Sequence, residues 1–199
     1  MTGDERRGYA KGRAKRGEIL DQAMAMFGEV GYRGASLRVI ATRCGISHPG
    51  LLHHFPTKES LLLAVLEHRD TVDGQWLEAG RPTGVDRLRR LVGLAALNAE
   101  RRGIVELFCV LSAEATSADH PAHAYFVDRY RRSVRSTAVS YAEAREKGVL
   151  REGIDPREAA QQLIALMDGL QIQWLLSDGE TDMAEVLYAH VQAQLTVSL

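Results

Sequence analysis

From Ile19 to Leu195 the apolar residues of this chain recur at spacings of three and four, and no stretch alternates apolar with polar. That spacing lines one face of a helix, whereas a half-buried strand needs a period of two, so the chain is read as all-α. Ile19, Leu20, Ala23, Met26, Phe27 and Val30 form the first apolar stripe, and Gly31 supplies its stop. Ser36 stands at the N-cap of a short second helix carrying Leu37, Ile40, Ala41 and Cys44, which ends at Gly45. Ser47 caps a third helix. Pro49 sits in its first turn, where a missing N–H does no harm, and Pro56 drives Phe55 out of helical geometry. Thr57 caps a long fourth helix, broken by the stretch from Gly80 to Gly84. Further helices are expected over about 85–101, 104–117, 121–147, 156–177 and 182–196, giving about nine in all.

The formal net charge of −1 hides an asymmetry. Residues 1–60 hold ten Lys or Arg against six acids, a surplus of +4, and the remainder carries −5. Clustered cations are rewarded where they displace counterions from a nucleic-acid backbone, so the front of the chain is the part fitted to phosphate. Residues 1–13 are polar and without periodicity, and are read as a flexible basic arm; 14–60 are expected to form a first small helical domain and 61–199 a second, larger one. The longest apolar runs, such as Leu61 to Leu66, fall far short of a membrane span, and no signal segment is apparent, so the expected address is the cytoplasm. Cys44 and Cys109 lie inside apolar helical patterns, as buried reduced thiols do.

Two short helices joined by Gly45-Ile46-Ser47 obey the helix-turn-helix grammar, in which the second short helix enters the major groove. On that helix His48, Pro49, Gly50, Leu52 and His53 face outward, while Ile46, Leu51 and Phe55 face the core. The segment ILDQAMAMFGEVGYRGASLRVIATRCGISHPGLLHHFPTKESLL, from Ile19 to Leu62, resembles the N-terminal domain of TetR-family regulators almost position for position. The likeness is carried by the Phe-x-x-x-Gly-Tyr exit of the first helix, the Ser-Leu-Arg-x-Ile-Ala second helix and the Leu-x-x-His-Phe-x-x-Lys-Glu close. It implies a DNA-binding regulator, most often a repressor, that binds a near-palindromic operator as a homodimer. It also assigns base contacts to the outward residues of the third helix and to Arg38, whose guanidinium matches the acceptors of guanine. Ser36, Ser47 and Lys58, at helix N-termini, suit phosphate oxygens. Leu52 departs from the family pattern, which frequently has Tyr there, and offers only apolar contact.

Beyond residue 85 the apolar faces are broad. Isolated polar groups fall within or beside them, and buried polar groups must find partners in protein, water or ligand. Asn98, Glu114, His123 and Asp168 are such groups; with Trp76, Phe108, Phe126 and Trp174 they are expected to line a cavity for a small, mostly apolar effector. The last two helices have more apolar surface than one core needs, which assigns Leu163, Leu166, Leu170, Trp174, Val186, Leu187 and Val191 to a dimer interface. No P-loop, nucleophile elbow, dinucleotide fingerprint or complete metal-ligand set is present, and neither catalysis, a cofactor nor a metal is expected. The competing reading keeps the DNA-binding head and makes the body a docking surface for a protein partner.

Overall fold

The structure, a computed structural model, describes the backbone of residues 3–199 and side chains from Gly12 onward. Among the described residues the chain forms α1 (Gly3–Gly34), α2 (Leu37–Arg43), α3 (His48–His54), α4 (Lys58–Glu78), α5 (Gly84–Ala99), α6 (Arg102–Glu114), α7 (His123–Glu146), α8 (Pro156–Leu176) and α9 (Met183–Gln192). An isolated antiparallel bridge pairs Leu150 with Leu195. Helix α1 reaches back over residues 3–13, where an arm was expected; Met1 and Thr2 lie outside the described residues. No described helix is long and apolar enough to cross a membrane.

The chain divides into two compact units, the first comprising residues 1–70 and 106–123, the second 71–105 and 124–199. The division by packing thus falls ten residues later than the expected boundary at 60/61, and it gives most of α6 to the first unit. In that unit α2 packs on α1 and on α3. Ile19, Phe27, Ile40, Leu51, Phe55, Leu61, Leu62, Leu66, Leu107 and Leu111 are almost wholly buried.

Most of the helix ends obey local chemistry. Gly45, at φ +63°, takes the left-handed conformation that a side chain resists, and its N–H and that of Ile46 return to Thr42 and Ala41 at 3.0 Å each. Ser47 Oγ accepts from Gly50 N at 3.2 Å. Thr57 and Ser60 cap α4 reciprocally: Thr57 Oγ1 accepts from Ser60 N and Ser60 Oγ from Thr57 N, each at 3.1 Å. Ser36 is a cap in backbone only, for its hydroxyl accepts no helix N–H. Gly31 does break α1, at φ 70° and ψ 179°, but one more helical turn follows it to Gly34.

In the second unit α9 packs against α5 and α8. Asp155 caps α8 by accepting from Arg157 N and Glu158 N at 2.9 and 3.0 Å, with Pro156 in the first turn, and Asp182 caps α9 by accepting from Glu185 N at 2.9 Å. The last helix ends earlier than its apolar pattern predicts, because residues after Gln192 leave the helix to pair with the turn before α8. Arg151 N donates to Gln194 O, and Thr196 N to Val149 O, both at 2.9 Å. Helix α7 starts at His123, two residues later than the pattern predicts; in the turn before it the Asp119 carboxylate accepts from Ser117 Oγ.

Candidate nucleic-acid interface

Pro56, the capped first turn and seven residues of α3 leave one side of that helix for the core and the other for solvent. Leu51 is fully buried and Phe55 2% exposed, while Pro49 and His53 are exposed and His48, Gly50 and Leu52 half-exposed. All five outward residues named from the sequence are accessible together on one short helix, and neither histidine packs inside. Arg38 is also exposed, in the first turn of α2. His54, not singled out from the sequence, is half-buried, with its ring edge-on to His53 at 5.8 Å.

Cations around the helix are held in set positions. Arg16 lies over the Phe55 ring at 4.2 Å and donates to His54 O at 3.3 Å, so the end of α3 is clamped by α1. Lys15 donates to Cys44 O at 3.1 Å, and Arg43 forms a two-pronged pair with Glu29 at 3.1 and 3.3 Å. Sequence reasoning missed these three residues; a basic residue before an apolar stripe carries no signal of the carbonyl or ring it will meet. Lys58 is placed differently from the expected phosphate contact. Its ammonium donates to Arg33 O at 3.2 Å and sits 4.7 Å from the Tyr32 ring centre, and partial burial pulls its pKa below the ordinary lysine value.

Behind this surface, the α1 break is gripped by a carboxylate from α6. Just past the non-helical Gly31, Tyr32 N donates to Glu114 Oε2 at 2.8 Å, and a Cβ on Gly31 would collide with Glu114 Oε1. The Tyr32 hydroxyl donates to Glu59 at 2.8 Å; burial and that acceptor raise its pKa to about 12. His120 stacks edge-on to Tyr32 at 5.2 Å, accepts from Ala122 N through Nδ1 at 3.2 Å, and turns Nε2 toward Glu114 at 3.6 Å. Burial lowers its pKa. His123 takes a different partner, with Nδ1 2.9 Å from Ala115 O. Glu114 and His123, expected in an effector cavity, are thus occupied in the first unit.

The remaining predicted cavity residues are divided between the two units. Phe108 belongs to the first unit, where Arg69 stacks on it at 3.6 Å. Trp76, Asn98, Phe126, Asp168 and Trp174 belong to the second. There Trp76 lies so close to Gly93 that a Cβ would stand 3.0 Å from its ring, and Trp174 is buried with Arg102 5.5 Å from its ring centre. Asn98 borders a gap, with Met167 and Met183, that is too narrow for a water molecule. Of the predicted dimer residues, Leu163, Leu170, Trp174, Leu187 and Val191 are buried within the second unit's own core, Leu166 is half-buried and only Val186 is exposed, at 41%. The uncovered face instead shows Ala165, Ile172 and Leu176 on α8, and Val186, Ala189 and Ala193 at α9. Periodicity had placed both faces on the helices without telling which one the core would take.

The family model described as "Bacterial regulatory proteins, tetR family" matches residues 19–65, and that of the "BetI-type transcriptional repressor, C-terminal" matches 84–196, more than half of the chain. The chain belongs to the TetR family. It is a DNA-binding transcriptional regulator and not an enzyme. The HTH-type transcriptional repressor KstR2 of Mycobacterium tuberculosis is 34% identical over 149 residues, 71% of this chain and 68% of the relative. KstR2 of Rhodococcus jostii is 30% identical over 148 residues, 70% of this chain and 65% of the relative, so these matches span about two thirds of the relatives' own length. Among solved structures, a transcriptional regulator from Saccharomonospora viridis in complex with choline shares 26% identity, covers 90% of this chain and 96% of that one, and superposes with a TM-score of 0.76. The all-α fold expected from the spacing is the TetR fold.

Proposed function

We propose that this TetR-family protein is a repressor that binds a near-palindromic operator as a homodimer and lets go of it when a small, mostly apolar effector binds the second unit. The observation that carries the DNA-binding part is α3. Leu51 and Phe55 anchor it, while His48, Pro49, Gly50, Leu52 and His53 stand clear along its outer side, with Arg38 exposed on α2. Imidazole and guanidinium edges read base acceptors, and Leu52 meets a thymine methyl. Repression follows the KstR2 relatives, and effector binding follows the choline-bound regulator. Dimerisation is supported by the open face of Ala165, Ile172, Leu176, Val186, Ala189 and Ala193, which water would otherwise cover. Two heads then address half-sites roughly 34–36 Å apart, or a multiple of that spacing.

Selection of bound duplexes from random DNA at two salt concentrations tests the reading. It is expected to return an inverted repeat whose affinity falls steeply with salt. Arg38→Ala and His53→Ala are each expected to lose about 1–3 kcal/mol for the selected site and to relax the sequence preference. Salt-insensitive binding, or an unchanged preference in both variants, overturns it.

A further inference from the structure

On the second unit, the outer side of α7 and the first turns of α8 bound an open groove of about 830 Å³. Its floor is apolar, made by Val134, Ala138, Val139 and Ala142, with Val139 52% exposed. Arg131, Arg135, Arg145 and Arg157 stand along the rim. Two of these are engaged: Arg145 donates to Ile154 O at 2.8 Å, and Arg131 lies 3.7 Å from Asp128. Arg135 and Arg157 are exposed and form no ion pair among the described residues. Asp155, at the groove's edge, caps α8, and its carboxylate also lies 4.0 Å from Arg145 and is attracted by Arg157, so it offsets part of the rim's positive charge. An occupant of this groove therefore has to present an apolar group and negative charge together.

The groove runs into the uncovered face of α8. Arg157, Gln161, Ala165, Ile172 and Leu176 fall on one side of that helix, and apart from Asp168 at its edge this side carries no charge between Gln161 and Leu176. Its far end holds what the groove lacks. Leu176 is 83% exposed, and the turn behind it carries Glu180, exposed, between Asp178, which pairs with Arg102 at 3.0 Å, and Asp182, which caps α9. One helix face thus has a basic apolar notch at its start and an apolar knob with an acidic turn at its end.

We infer that the groove between α7 and α8 receives Leu176 and the acidic α8–α9 turn of a second copy of this chain. The inference rests on the dimer reading above and specifies its register. Two copies of α8 cross antiparallel about a two-fold axis near Gly169, midway between Gln161 and Leu176, where the missing side chain lets the backbones approach. Residues equally far from the axis then meet: Leu176 lies opposite Gln161 above the groove floor, and Glu180 opposite Arg157. The two Asp168 carboxylates flank the axis and are the unfavourable element of the arrangement. A parallel crossing would set Arg157 against Arg157 and leave both Leu176 side chains in water. A two-fold contact is self-complementary, so both grooves fill at once.

The test is sedimentation equilibrium of the full chain and its variants, with circular dichroism confirming that each folds. Leu176→Ala is expected to weaken dimerisation about tenfold to a hundredfold, since each copy loses a buried leucine. Arg157→Glu weakens it severalfold, and adding Glu180→Arg in the same chain restores it, because the pair is reversed. Chains carrying Ala138→Cys mixed with chains carrying Leu176→Cys give a disulfide-linked heterodimer on oxidation. If Ile172→Asp dissociates the dimer but Leu176→Ala and Arg157→Glu leave its Kd unchanged, the groove inference is overturned and the dimer reading stands. If the wild-type chain does not self-associate at micromolar concentration, both fall.

Discussion

The DNA-reading helix and the eighth helix solve opposite problems. Helix α3 has seven residues and one fully buried side chain, and its position is set by its ends: a serine hydroxyl on its first turn, a left-handed glycine before it, a proline after it and Arg16 over its last ring. Helix α8 has 21 residues and buries Ala159, Ala160, Leu163, Ile164, Leu170 and Trp174 while leaving a second apolar side uncovered. The first is fixed by chemistry within a few positions of sequence. The second is fixed by what packs on it, and it keeps a face in reserve. A short helix that must stand proud of its core gains precision from caps and clamps; a long one can divide its surface between a core and a partner.

The contrast is sharpest where a single side chain fixes the short helix to its core. Leu51→Ala removes the buried anchor of α3 and is expected to cost about 2–5 kcal/mol. Ile172→Ala, on the uncovered face of α8, is expected to leave the stability of the isolated monomer within about 0.5 kcal/mol. Thermal melts at low protein concentration compare the two, and equal losses would break the distinction between anchored and reserved faces. Next in size is Gly31→Ala. The backbone there lies at φ 70° and ψ 179°, a conformation nearly confined to glycine, and the added methyl meets the Glu114 carboxylate. A loss of about 1–3 kcal/mol is expected from the backbone alone. Denaturant unfolding measures it, and a neutral result would mean that Glu114 yields freely.

Smaller still is the difference between two serines that look alike in sequence. Ser47→Ala forfeits a real cap bond and is expected to cost about 1 kcal/mol, whereas Ser36→Ala removes no helix bond and should cost no more than about 0.5 kcal/mol. Urea midpoints of the two variants separate them; a larger loss at Ser36 would contradict the geometry. The smallest expected effect is one of pH. Burial holds both His120, in the first unit, and His190, in the second, below the ordinary histidine value. An unfolded chain then takes up these protons first, so stability is full above about pH 6.5 and declines as the pH falls below it. Melts between pH 8 and 5 should show a shallower decline in His120→Gln and in His190→Gln than in the wild type. An unchanged slope in either variant removes that histidine from the account.

What the sequence made legible follows the same division. The helix count, Gly45, Ser47 and the outward side of α3 were readable because spacing, cap and turn residues act over three or four positions. The cap at Ser36 was half readable, since the backbone obeys the rule and the hydroxyl does not. The roles of Leu163, Leu187 and Val191 were not readable: on a helix apolar on two sides, which side is buried depends on α5 and α9 packing from far along the chain. Glu114 and His120 were likewise out of reach, because nothing local marks a carboxylate on α6 as the partner of a peptide N–H at the end of α1.

That peptide N–H doubles as a gauge. Gly31 breaks the helix just before Tyr32, and the Tyr32 amide donates to Glu114. Its rate of deuterium uptake therefore reads out, at one atom in the head, how much of the time the end of α6 is seated.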